Sequence, residues 1–237
     1  MTTASGLLVS AILATRRPDF LPGAVRMVRA QAYGPVELAV ALHGHPVSTL
    51  PEAARAALDA TDRVLELPAE ASLEACLDEA VAVTRGDILA KIDDDDLYGP
   101  AYLVEAVAAL AAGLGDVVGK TELYVHLVTE RELLLWRPGA AHAEQDYVMG
   151  GTLVLPRGLG VSFQAAPGEA TGMSGFLERC RAAGGRVYAT SRRHHVHRRF
   201  RQEHHTWRPD LDLFRSEGVL IRRDVGDDPS GLLRLVG

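Results

Sequence analysis

Four consecutive carboxylates, Asp93, Asp94, Asp95 and Asp96, stand directly after the apolar run Ile88–Ile92. Adjacent carboxylates repel one another, and a folded chain tolerates them when a cation or hydrogen-bond donors neutralise the charge. Oxygen-only donors favour Mg²⁺ or Mn²⁺ over zinc. In an extended chain Asp93 and Asp95 point to one side and Asp94 and Asp96 to the other. One pair can then face a divalent cation while the other bonds to a ligand or to backbone. The plainer reading is a solvated acidic loop, with Asp96 helping to cap a helix that begins near Pro100. The place of the run favours the metal, because open α/β sheets bind ligands at the carboxyl ends of their strands. An EF-hand is excluded: the twelfth position from Asp93 is Val104, so the closing acid is missing.

A second segment carries the opposite charge. Arg192-Arg193-His194-His195-Val196-His197-Arg198-Arg199-Phe200-Arg201 is followed by His204-His205-Thr206-Trp207. Arginine offers paired donors to an anion whose charge develops during a reaction. The alternative is a solvated basic loop. A zinc site ranks below both, since His194, His195 and His197 lie too close for a helical ligand pair and no cysteine is near.

Elements able to position these groups follow from the apolar pattern. Leu7–Ala14, Val36–Leu42, Arg63–Leu67 and Ile88–Ile92 read as strands, alternating with helices over Pro18 to Ala32, Pro51–Ala60 and a helix that Ser72 caps. In the last, Leu73, Cys76, Leu77, Ala80 and Val81 form one apolar face, and Gly86 follows as a stop. Ile88–Ile92 is nearly continuous in its apolarity, as a central strand covered on both sides should be. Pro100–Ala112 predicts another helix, Asp116–Arg137 several strands, and Gly151–Pro156 a further one. A helix from about Gly175 to Ala183 and a strand at Arg186–Thr190 complete the body, with a helix and loop expected beyond Arg208. The pattern is that of an α/β single domain with a mixed, mostly parallel sheet flanked by helices.

The 237 residues suit one such domain, and 47% hydrophobic with 24% charged residues is a globular balance. A formal net charge of −6 gives no general field for nucleic acid. Cys76 and Cys180 lie far apart in sequence and read as core positions, with a reducing cytoplasm as the expected location. The early apolar run Gly6–Ala14 lacks a preceding positive charge and reads as a buried strand rather than a secretory segment. No stretch predicts a transmembrane segment, while a peripheral membrane contact remains open.

The run Lys91-Ile92-Asp93-Asp94-Asp95-Asp96-Leu97-Tyr98-Gly99-Pro100 resembles the nucleotide-sugar metal motif of family 2 glycosyltransferases. The likeness extends from about Leu8 to Trp207. Leu8 to Pro18, with Thr15-Arg16-Arg17, is similar to the family's opening strand and its turn; Gln31-Ala32-Tyr33 and Glu37-Leu38-Ala39-Val40 match the first helix end and second strand. Gly150-Gly151-Thr152-Leu153-Val154 looks like the strand bordering the acceptor side, and Ala182 to Ala189 like the turn after the catalytic helix.

The resemblance implies a GT-A (Rossmann-like) fold over residues 1–207, with a nucleotide-binding part to about 100, an acceptor part beyond it, and a tail, 208–237, packed on the domain. It implies a nucleoside-diphosphate-sugar donor, Mn²⁺ or Mg²⁺, and inverting transfer to a hydroxyl acceptor that is a saccharide, lipid-linked or a small molecule. Thr15 and Arg16 would line the nucleotide pocket. Asp93 and Asp95 would serve the metal and diphosphate, with Asp96 beside them and Asp94 towards the nucleotide. Arg198 and Arg199 would meet the diphosphate, and His205 would reach the metal, with His204 close behind.

Two departures stand out. Where the family's second strand usually ends in Asp, this chain reads Ala41-Leu42-His43-Gly44, leaving His43 as a nucleotide contact or an ordinary loop residue. Inversion also needs a carboxylate to take the acceptor's proton. The stretch before Phe176 reads Gly168-Glu169-Ala170-Thr171-Gly172-Met173-Ser174-Gly175, in which Glu169 is the sole acid. Glu169 is either a displaced base or a surface glutamate. A non-catalytic nucleotide- or sugar-binding relative is therefore the alternative, and a nucleotidyltransferase releasing pyrophosphate is the third.

Overall fold

The computed structural model describes residues 6–200 and 209–237. His204 and His205, with Arg201, lie outside the described residues. The chain opens with β1 (Val9–Thr15), α1 (Leu21–Arg29), β2 (Val36–His43), α2 (Glu52–Ala57), β3 (Arg63–Leu67), α3 (Leu73–Ala82) and β4 (Ile88–Ile92). It continues through β5 (Leu97–Tyr98), α4 (Tyr102–Ala111), β6 (Val117–Gly119), β7 (Leu123–Leu127), β8 (Glu132–Trp136), β9 (Ala143–Glu144) and β10 (Val154–Pro156). Last come α5 (Gly172–Ala182), β11 (Val187–Ala189), β12 (His195–Arg199), α6 (Leu211–Ser216), β13 (Gly218–Arg222) and α7 (Pro229–Val236).

Eight strands form the main sheet, in the order β3-β2-β1-β4-β10-β6-β11-β9. β1, β2, β3 and β4 run parallel, β10 runs antiparallel to β4 and β6, and β9 is antiparallel to β11. Period-two alternation sends the side chains of β1 to two cores. Val9, Ala11 and Leu13 pack with residues of α1, α2 and α4 on one face, while Ile12 packs with α3 and α5 on the other. The two unbridged cysteines both belong to helices packed here and are fully buried. Ser72 caps α3 as its place implies, its hydroxyl accepting the Ala75 N–H at 3.0 Å.

A second sheet, ordered β13-β8-β7-β12-β5, stands at the end of β4 where the aspartates emerge. Two of its strands differ from the sequence reading. His195–Arg199 is a buried strand rather than a solvated loop, and the tail adds the edge strand β13 to the expected helix. Among the described residues no helix is long and apolar enough to cross a membrane.

Candidate functional site

β4 ends at Ile92, and the chain bends over Asp94 to Asp96 before β5 resumes in the second sheet. The alternation of an extended chain is therefore lost. Asp94 and Asp95 face a common partner, Arg17, while Asp93 and Asp96 both border Gly151. A β-carbon on Gly151 would lie 2.7 Å from Asp93 Oδ2 and 2.9 Å from Asp96 Oδ2, so only the absence of a side chain admits both carboxylates. The Asp93 backbone N–H bonds to the Tyr98 hydroxyl at 2.9 Å, which donates to the Gly151 carbonyl at 2.6 Å. The bend is thereby tied to the turn before β10. Lys91, two residues earlier on the same face, pairs with Asp93.

The Thr15 hydroxyl, at the end of β1, donates to Asp94 Oδ2 at 2.5 Å. Arg17 pairs with Asp94 and reaches Asp95 at 2.8 Å. Burial, added to the charge of Asp95, still pushes Asp94 up to about 6, because Arg17 and Thr15 offset only part of the cost. Burial opposes the charge of Arg17, but Asp95 and Asp94 outweigh it and hold the guanidinium protonated.

Asp96, expected among the cation's ligands, is fully buried with both oxygens engaged by β12. It accepts from His195 Nε2 at 3.2 Å, from His197 Nδ1 at 2.9 and 3.1 Å, and from the Arg198 backbone N–H at 3.0 Å. A carboxylate can only accept, so each of these ring nitrogens carries its proton. Burial would raise Asp96, but His197 and His195 bring it well below the usual carboxylate range. Burial, with the charges of His197 and Lys120, keeps His195 below its usual value despite Asp96; for His197 the charge of Asp96 overcomes burial and raises it.

Arg16 and His43 meet across the ends of β1 and β2. Arg16 Nε lies 3.0 Å from His43 Nδ1, its Nη2 is 2.7 Å from both His43 Nε2 and the Ala69 carbonyl, and burial with the Arg16 charge lowers His43. Thr15, Arg16, His43 and the aspartates thus line one edge of the parallel strands. Arg198 and Arg199 leave β12 on opposite sides: Arg198 approaches Asp227 at 3.4 Å, and Arg199 shares its side with His195 and His197. Burial lowers both guanidinia, with Asp95 and Asp96 among the charges that restore them.

Glu169 stands apart from these contacts. Its carboxylate accepts the Ala166 N–H at 2.9 Å and lies 3.6 Å from Arg179 Nε, in the exposed turn before α5. The first turn of α5 carries no acid, but its Met173 packs on Gly150, beside the aspartates.

Arg17, Lys91, Tyr98, His195 and His197 escaped the sequence reading as partners of the run. Two signals were present. Lys91 precedes Asp93 by two in a strand, and His195 and His197 share a face at period two, a spacing that suits a strand rather than a helical ligand pair. Among the described residues, no three His, Cys, Asp or Glu side chains converge as a metal cage.

No protein-family model and no curated protein matches the sequence. The structure is similar to that of TarS 1-349 from S. aureus in complex with UDP-GlcNAc, with a TM-score of 0.62 and 15% identity over 84% of this chain and 60% of that one. It is also similar to the mannosyltransferase PcManGT from Pyrobaculum calidifontis in complex with GDP-Man and Mn²⁺, with a TM-score of 0.62 and 14% identity over 86% and 61%. This chain spans about three fifths of the length of each. What they share with it is the fold, of the GT-A type.

Proposed function

We propose that the chain is an inverting glycosyltransferase, moving a sugar from a nucleoside-diphosphate-sugar donor to a hydroxyl acceptor with a divalent cation. One observation carries the reading: an oxygen-only carboxylate cluster opens at the carboxyl edge of β1 and β4, beside the Arg16–His43 pair at the ends of β1 and β2. The neighbours' complexes with UDP-GlcNAc and with GDP-Man and Mn²⁺ support the same class of donor.

The residues fit such a cation. Asp93, with a side chain 34% exposed, and Asp95 offer hard oxygen donors, and Gly151 leaves the space beside Asp93 that a side chain would fill. Mg²⁺ and ions like it are commonly held by one or two carboxylates plus substrate phosphates, the number that Asp93 and Asp95 would supply. The cation supplies charge neutralisation for the departing diphosphate. Asp96 holds β12 in place, so that Arg199 presents fixed positive charge to the same anion, while Arg198, on the other side of the strand, would have to leave Asp227 to join it. Arg16 and His43 take the nucleoside side. Glu169 takes the acceptor's proton, for which its carboxylate leaves the Ala166 N–H and Arg179. The unbridged cysteines are in keeping with a reducing compartment.

Titrating UDP and GDP calorimetrically, each with Mn²⁺ and with chelator, tests the donor site. Binding that needs Mn²⁺ and falls in Asp95→Ala is the expected result; binding indifferent to both refutes the cation. The contacts that occupy Glu169 favour one other reading, a binding protein that holds the donor without transferring its sugar. Donor turnover separates the two, and release of pyrophosphate from a nucleoside triphosphate would instead mark a nucleotidyltransferase.

A further inference from the structure

Arg17 follows β1 and turns back over the acidic run. Its guanidinium forks between two carboxylates: Nη1 donates to Asp95 Oδ2 at 2.8 Å, Nη2 to Asp94 Oδ1, and Nε to Asp94 Oδ2 at 3.3 Å. The side chains of Asp94 and Asp95 are 3% and 8% exposed, whereas that of Arg17 is 25% exposed. The Arg17 side chain is thus the more exposed partner of the pair it makes with each carboxylate. Its backbone is anchored separately, because the Arg17 N–H donates to Thr15 Oγ1 at 2.9 Å. Thr15 also keeps its own bond to Asp94, so Asp94 retains a donor wherever the Arg17 side chain goes.

Resting on the glycosyltransferase reading, we infer that Arg17 is an exchangeable counter-ion that yields Asp95 to the divalent cation and turns to the diphosphate arriving with it. A guanidinium and a divalent cation cannot hold the same carboxylate oxygen without strong repulsion. Two buried carboxylates without a counter-charge are costly, so a resident arginine stabilises the empty site. Once displaced, its planar fork matches a phosphate as well as it matched the carboxylates. The cation alone then binds weakly, since it takes from Arg17 its bond to Asp95 and gives nothing in exchange. Nucleotide and cation together bind cooperatively, because the diphosphate gives Arg17 a new partner.

The exchange predicts effects of opposite sign. In Arg17→Gln, Mn²⁺ titrated without nucleotide binds about tenfold more tightly than in the wild type, the loss of a competing charge-assisted fork. UDP or GDP at saturating Mn²⁺ binds about tenfold more weakly. Equal or weaker Mn²⁺ binding in the variant overturns the exchange, and the glycosyltransferase reading survives if wild-type nucleotide binding still needs Mn²⁺. Tighter Mn²⁺ binding with undiminished nucleotide binding overturns the turn to the diphosphate. The unaltered protein gives a test that does not depend on a variant folding. The Arg17 Nε–H resonance should move when Mg²⁺ is added and move again with UDP or GDP, and a signal unmoved by both overturns the proposal.

Discussion

Replacing Asp96 by Asn tests whether this residue serves β12 rather than a cation. The carboxylate is wholly buried and accepts from two imidazoles and the Arg198 backbone N–H. Removing one member of a buried ion pair costs about 3–5 kcal/mol. Asn keeps the shape and one acceptor, which places the loss near the lower end, about 3 kcal/mol at pH 6. For a chain of this size that lowers Tm by roughly 6–12 °C. The pH dependence is more telling. His197 is raised above its ordinary 6.5 by Asp96, so its contribution is complete below 6.5 and is lost as pH rises through its folded value. Without the carboxylate, burial dominates His197 and lowers it, and that contribution disappears. The deficit of Asp96→Asn should therefore be largest near pH 6 and shrink towards pH 8.5. Asp96 itself, held below 3.8, loses its contribution only at acid pH, outside this window. Urea denaturation of both proteins at several pH values, with chelator to remove linkage to cations, measures the difference directly. A deficit below about 1 kcal/mol, or one constant across the range, would refute the assignment.

Gly151→Ala places a methyl within 3 Å of Asp93 and Asp96, of which Asp96 is pinned by β12. Asp93 must then move, and Mn²⁺-dependent nucleotide binding should weaken at least about tenfold while stability falls by about 1–3 kcal/mol; calorimetry with unchanged affinity would show that the cation does not use Asp93. Glu169→Gln should lower sugar transfer by about 10²–10⁴-fold with donor affinity preserved, as loss of a general base does. Full transfer activity in that variant would assign the proton to another group.

Local signals explain which elements could be read from the sequence. β3 and β4 occupy the spans their apolar runs predict, and α3 starts after Ser72, because β4 is buried along its whole length and α3 packs one apolar face against the sheet. β12 escaped because its composition is basic: His195, His197, Arg198 and Arg199 look solvated until Asp96 and Asp227, distant in sequence, supply their partners. β13 escaped for another reason. Val219, Leu220 and Ile221 form an apolar run too short for periodicity to separate strand from helix, and the strand exists by pairing with β8.

The aspartates announce a site but not their own pairing, and the reason lies in how like charges are neutralised. Four adjacent carboxylates on a straight strand would present two to each side, and any cation on one side would leave the other pair unpaired in the interior. The chain instead bends, and the carboxylates turn towards cations that come from separate segments: Arg17 after β1, Lys91 within β4 and His197 in β12. In the sequence the anions are contiguous and the cations are scattered, so only the anions form a visible motif. The same asymmetry sets the chemistry. Asp96 and Asp94 are buried and fixed by neighbours that hold the fold together, whereas Asp93 is the most open of the four and Asp95, though buried as well, is paired with the partly exposed Arg17. A run of four identical residues is thereby divided into two that secure the strands and two, Asp93 and Asp95, that are proposed to meet a cation.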